Sequence, residues 1–66
     1  MRLVLNGKER DFPDGITIPQ LLETLGIDRR AIAVALNGDV VPRATYDSVV
    51  LHDGDRVEVV RMVGGG

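Results

Sequence analysis

The 66-residue sequence has no cysteine and no tryptophan, and its aromatic residues are Phe12 and Tyr46 alone. Without cysteine there is no disulfide framework, no thiolate nucleophile and no cysteine-built metal site. The single histidine, His52, sits in the turn-like stretch "HDGD", where a solvated loop residue is the simpler reading than a catalyst or ligand. Asp53-Gly54-Asp55 lacks the further ligand spacing of a calcium loop and reads as turn chemistry. No serine–histidine–aspartate arrangement and no phosphate loop is present. No apolar run is long enough to span a bilayer, and no charged-then-apolar leader opens the chain. The formal charge is -2 with signs mixed along the chain, so phosphate neutralisation and base stacking have little to work with. These absences point to a cytoplasmic domain, monomeric when free, with no bound cofactor or metal, no nucleic-acid or membrane partner and no turnover of its own.

What is present is an orderly set of local signals. In "MRLVLN", Met1, Leu3 and Leu5 alternate with polar positions, the period of a half-buried strand. Asn6-Gly7 is a two-residue hairpin signal, because both positions tolerate positive φ. "KERDF" then runs back antiparallel to Phe12, and "FPDG" turns the chain. Thr17 and Gln20 have the spacing of a capping box, Pro19 suits a first helical turn, and Gly26 suits a left-handed C-terminal cap. Between these caps Ile18, Leu21, Leu22 and Leu25 form one apolar stripe.

"AIAVALN" (31–37) reads as a central strand with Ile32, Val34 and Leu36 on the core face and Ala31, Ala33 and Ala35 making a flat outer face. A second Asn-Gly, Asn37-Gly38, leads to a short strand at 40–41 stopped by Pro42. "RATYDS" has no clear period and wraps the edge. Residues 49–51 suggest a brief strand, and "RVEVVRMV" (56–63) is the last one, with Val57 and Val59 facing inward. One helix laid across a mixed sheet of four to five strands is the economical burial of a single stripe. The expected fold is α+β, a β-grasp, over residues 1–63, with 64–66 as a flexible glycine tail.

The features "DGITIPQLLETLG", "VALNGDVVPR", "DGDRVEVV" and the terminal Gly-Gly, in this order and at this length, resemble the ThiS-type sulfur carriers. These are ubiquitin-like relatives of the small subunit of molybdopterin synthase. The resemblance runs nearly end to end. It implies that the Gly66 carboxylate is adenylated with Mg-ATP by a ubiquitin-activating-type (ThiF-like) enzyme. Sulfur from a donor such as a cysteine desulfurase then replaces AMP to give a thiocarboxylate, and a ThiG-like thiazole synthase takes the sulfur for thiamin. The molybdopterin branch and a protein modifier joined through Gly66 remain alternatives, although Lys8 is the only lysine. A third alternative is an RNA-associated β-grasp module of the kind appended to tRNA synthetases, which has no use for a free glycine tail.

The residues support such chemistry independently. A free α-carboxyl has a pKa of about 3.3–3.7, so it is an anionic oxygen nucleophile at neutral pH without an activating base. Side chains at Gly65 or Gly66 would crowd the reacting carbonyl, and glycine opens backbone conformations closed to other residues. Three extended residues reach only about 10 Å, so a partner must clasp the strand before the tail as well. Val60, Arg61, Met62, Val63, Gly64 and Ala35 are therefore the candidate partner-binding residues. If Val57 and Val59 face the core, Val60 or Met62 lies on the outer face beside Ala33 and Ala35, with Arg61 near the rim of that patch. The competing view is that isolated surface apolar residues are ordinary.

Overall fold

The computed structural model describes residues 1–62. Strand β1 (Arg2–Leu5) pairs antiparallel with β2 (Lys8–Asp11) across Asn6-Gly7. Both turn residues have the left-handed φ that this tight hairpin requires, 49° at Asn6 and 82° at Gly7. Helix α1 (Ile18–Leu25) follows and is closed at both ends by the expected chemistry. The Gln20 amide N–H donates to Thr17 Oγ1 at 3.3 Å, and the Thr17 N–H donates to Gln20 Oε1 at 2.9 Å. At the other end Gly26 takes φ 70°, and the Ile27 N–H donates to the Leu22 carbonyl at 2.9 Å. The otherwise orphan end groups of this short helix are thereby satisfied.

A 3-10 turn (Arg29–Ala31) leads into β3 (Ile32–Leu36), which hairpins at Asn37-Gly38 into β4 (Asp39–Val40). The short strand thus starts one residue earlier than the sequence suggests. A two-residue turn sets Leu36 directly opposite Asp39, which leaves Val41 to turn inward, its N–H on the Val34 carbonyl at 2.9 Å. "RATYDS" forms a 3-10 helix (Arg43–Ser48) that buries Tyr46. The brief strand expected at 49–51 is reduced to a single bridge between Thr17 and Val50. Strand β5 (Arg56–Arg61) closes the sheet.

The strand order is β2-β1-β5-β3-β4, with β5 parallel to β1 and antiparallel to β3. The parallel central pair, the antiparallel flanks and the crossing helix make the expected β-grasp with five strands. Its core joins Leu3, Leu5, Val34 and Val57 of the sheet to Ile18, Leu21 and Leu22 of the helix. Leu36 and Val59, expected inward, are half-buried and pack against this core. Among the described residues no helix is long and apolar enough to cross a membrane.

β5 is held from both sides by the two asparagines of the hairpin turns. The Val59 N–H donates to Asn6 Oδ1 at 2.8 Å, and Asn6 Nδ2 donates to the Val59 carbonyl at 3.4 Å. On the opposite side the Arg56 N–H donates to Asn37 Oδ1 at 2.9 Å, and Asn37 Nδ2 donates to Asp55 Oδ1 at 3.1 Å. Each Asn-Gly pair therefore makes a turn and also anchors the strand that leads to the tail.

Candidate functional site

Of the residues singled out in the sequence, Val63, Gly64, Gly65 and Gly66 lie outside the described residues. The strand that delivers them is well defined. Its side chains alternate strictly: Val57 is fully buried, Val59 is half-buried, and Glu58, Val60 and Met62 point to the side away from the helix. Val60 is 57% exposed and Met62 59%. Val60 stands directly opposite Ala33, and Ala35 stands opposite Glu58. The outer apolar patch expected from the sequence is therefore assembled as expected around Val60, Met62, Ala33 and Ala35.

One member is added and one is moved. Val40 is the most exposed large apolar residue at 76%, and the β3–β4 register places it opposite Ala35 on the same outer face. The signal was present in the sequence, since a two-residue Asn-Gly turn fixes which residues face each other. Arg61, by contrast, is not at the rim of this patch. It pairs with the buried Ile32 and so shares the helix-side face with Val57 and Val59. The reason is parity: in a strand, residues of one parity share a face, so an inward Val59 requires Arg61 to lie on that side too.

The cation at the edge of the outer patch is Arg43. Its Nη2 donates to the Ile32 carbonyl at 2.9 Å and lies 3.0 Å from Met62 Sδ, while both terminal nitrogens reach the Arg30 carbonyl at 3.3 Å. The Met62 N–H donates to the Ala31 carbonyl at 2.9 Å, which continues the ladder past β5. Met62 is thus held at backbone and side chain while remaining exposed. Nothing in the periodicity of "RATYDS" announced this role of Arg43, because it depends on where the 3-10 helix returns along β3.

The surrounding charges are structural. Asp28 caps the 3-10 turn before β3, accepting from the Arg30 N–H at 2.9 Å and from its guanidinium Nη2 at 2.9 Å. These hydrogen bonds hold the Asp28 carboxyl down at about 2, below its ordinary 3.8. The "HDGD" segment is a turn: Asp55 Oδ2 accepts from the His52 N–H at 2.8 Å, and Asp53 Oδ1 accepts from the Arg2 N–H at 2.7 Å. Among the described residues no group of three histidine, cysteine, aspartate or glutamate side chains could hold a metal ion. What the site offers chemically is a presented strand end, with an apolar face on one side and an arginine on the other.

Comparison with known proteins gives this geometry a context. The model of the ThiS family matches residues 3–66. The chain is 46% identical over its whole length to part of a thiazole synthase from Paramagnetospirillum magneticum, and it spans 20% of that protein. It is 37% identical to the sulfur carrier protein ThiS of Thermus thermophilus, covering 94% of this chain and 95% of the relative. The crystal structure of the thiamine biosynthesis protein ThiS from Geobacter metallireducens superposes with a TM-score of 0.89 at 33% identity, covering both chains completely. On a match that runs from the first strand through the terminal glycines, the chain belongs to the ThiS family.

Proposed function

We propose that the protein is a sulfur carrier for the thiazole of thiamin, with the Gly66 carboxylate as the working group. The observation that carries this reading is the family match over residues 3–66, together with a named sulfur carrier matched over nearly its full length. A carboxylate oxygen attacks the α-phosphorus of Mg-ATP, held by an adenylating partner, and pyrophosphate leaves. The partner's metal and cations offset the charge that builds on the phosphates. The product is an acyl adenylate at Gly66. A persulfide sulfur, drawn from a cysteine desulfurase or similar donor, displaces AMP. Reductive cleavage of the resulting sulfur–sulfur bond by a thiol leaves the thiocarboxylate. Thiazole synthase then takes the sulfur in exchange for an oxygen from its own substrate or from water, so that the acyl C–S bond breaks, a C–O bond forms and the carboxylate is regenerated. The protein is consumed and restored as a cosubstrate of cytoplasmic enzymes, and it has no turnover of its own.

The thiamin branch is favoured over molybdopterin by the relatives. They include named sulfur carriers of this family and thiazole synthases that hold a like segment within their own chain. That second arrangement also supports thiazole synthase as the receiving partner. The outer patch of Val40, Val60 and Met62 serves as the handle by which the adenylating enzyme grips the strand. Apolar groups rimmed by a cation suit a surface that is buried in a complex and water-exposed when free.

Intact-mass measurement of protein from cells making thiamin tests the reading directly. One C-terminal oxygen should be exchanged for sulfur in a fraction of the molecules. A terminus that stays unmodified throughout active thiamin synthesis would sink the proposal. Deleting Gly65-Gly66 should abolish sulfur transfer and leave the melting curve unchanged, because the core residues of the described chain all precede the end of β5 at Arg61.

A further inference from the structure

β5 outruns its neighbour. β1 pairs with β5 only at Val4–Arg56 and Leu5–Val57, whereas β5 continues to Arg61. The even-numbered residues of β5 direct their backbone groups at β3, as the Asn37–Arg56 and Met62–Ala31 bonds show. The odd-numbered ones face the β1 side: the Asp55 carbonyl accepts from Val4, the Val57 carbonyl from Asn6, and Val59 is taken by the Asn6 side chain. Arg61 is next in this series. Its N–H and C=O point past the end of β1, where no strand lies among the described residues.

A groove opens beside that edge on the helix side, about 320 Å³ in volume. Its floor is apolar, made by Leu25, Ile27, Ile32 and Val59, and its rim carries Arg10 and Arg61. The Arg10 guanidinium rests over the Phe12 ring at 5.5 Å. Neither arginine has a carboxylate partner within ion-pairing distance among the described residues. Among the other described cations Arg2, Arg29 and Arg30 have one, and Lys8, Arg43 and Arg56 do not.

We infer that this groove is a second docking surface, on the face opposite Val60 and Met62, for an extended acidic segment of thiazole synthase. The open backbone of Arg61 accepts such a segment as a short continuation of the sheet where β1 stops. Alternate side chains of the segment then fall toward the groove, where apolar ones meet Leu25 and Ile27 and carboxylates meet Arg10 and Arg61. The two faces at the end of β5 thereby serve different partners. The inference rests on the proposed transfer to thiazole synthase and adds where and by what chemistry that enzyme holds the carrier.

The test is titration of the full-length carrier into thiazole synthase, at low and high salt, with the Arg10→Glu/Arg61→Glu double variant. The variant should bind roughly tenfold or more weakly, melt as the parent does, and lose the salt dependence that the parent shows. The Arg10→Lys/Arg61→Lys variant should recover most of the affinity. Unchanged affinity of the glutamate variant for thiazole synthase, with Val60→Asp still binding the adenylating enzyme weakly, overturns the groove and leaves the outer patch standing. Truncation after Met62 that shifts the amide resonances of Leu25 and Ile27 in the free protein would show the chain's own tail in the groove. A self-association that the glutamate variant abolishes would show a second copy there. Either result overturns the inference. Thiocarboxylate formation, read by mass spectrometry on the same samples, reports on the proposed function separately.

Discussion

Val57 and Val60 are the same residue type on the same strand, yet Val57 is completely buried and Val60 is 57% exposed. The helix covers one face of the sheet, and nothing among the described residues covers the other. An inward valine therefore contributes to stability in proportion to the apolar area it removes from water. An outward valine contributes little to the free protein and keeps its apolar area available for a complex. The contrast teaches that the two faces of β5 can be altered separately, although they belong to one six-residue strand.

The largest effect expected from this contrast is at Val57. Val57→Asp places an unpaired carboxylate in the core, at a cost of several kcal/mol. A chain of this length has a total stability of only about 3–10 kcal/mol. The variant should show no cooperative thermal transition by circular dichroism. Val60→Asp should melt within about 0.5 kcal/mol of the parent, as surface changes do, while its affinity for the adenylating enzyme falls clearly. If Val60→Asp also lost its transition, the distinction between the faces would be wrong.

Tyr46 sharpens the comparison from a different direction. It is 1% exposed and packs under the helix side from a segment without a readable period. Tyr46→Ala should cost about 3–5 kcal/mol, the range of large-to-small aromatic changes. Tyr46→Phe should cost under about 1 kcal/mol, because nearly all the buried surface is retained. Chemical denaturation of both variants decides this, and near-equal losses would mean that the hydroxyl, not the ring, holds the segment.

The same residue shows where the sequence is legible and where it is not. Thr17, Gln20 and Gly26 state the ends of α1 by local hydrogen-bond chemistry, and the structure makes each bond they imply. Asn6-Gly7 and Asn37-Gly38 state both hairpins, because positive φ at consecutive positions leaves few other turns. Alternation in β3 and β5 places Val60, Met62 and Ala33 correctly. The same alternation puts Arg61 on the inner side, a consequence of Val59 that charge alone obscures. Tyr46 and Arg43 could not be placed this way. Their positions follow from the path of a 3-10 helix that packs against α1 and reaches the start of β3 through Arg43, which is a tertiary fact with no sequence period behind it.

The two asparagine clamps permit a finer test. Asn37 reinforces a region where β3 already pairs with β5, whereas Asn6 substitutes for a strand that has ended. Asn6→Ala removes the bonds to Val59 and also puts alanine at a left-handed φ, which costs about 1–2 kcal/mol. Asn6→Gly removes the bonds but accepts that backbone readily. Hydrogen exchange at the Val59 amide should accelerate in both variants, and only the alanine variant should lose the larger share of global stability. Unchanged exchange at Val59 would mean that the end of β5 is secured by β3 alone.

The smallest effect belongs to Asp28, which holds the turn leading into β3 beneath the outer patch. Its carboxyl is lowered from 3.8 to about 2 by the Arg30 hydrogen bonds, so the folded chain favours the charged form more than the unfolded chain does. The associated stability is complete above the unfolded value and is lost as pH falls from about 4 through about 2. Asp28→Asn keeps a side chain able to cap the turn but removes the charge. The parent should melt slightly higher than the variant at neutral pH, and the gap should close between pH 4 and pH 2. The exposure of the pair, 85% for the Arg30 side chain and 52% for that of Asp28, keeps that gap small. A gap that stayed constant across this window would assign the stabilisation to the shape of the cap and not to its charge. The support beneath Met62 and Ala33 would then be independent of pH.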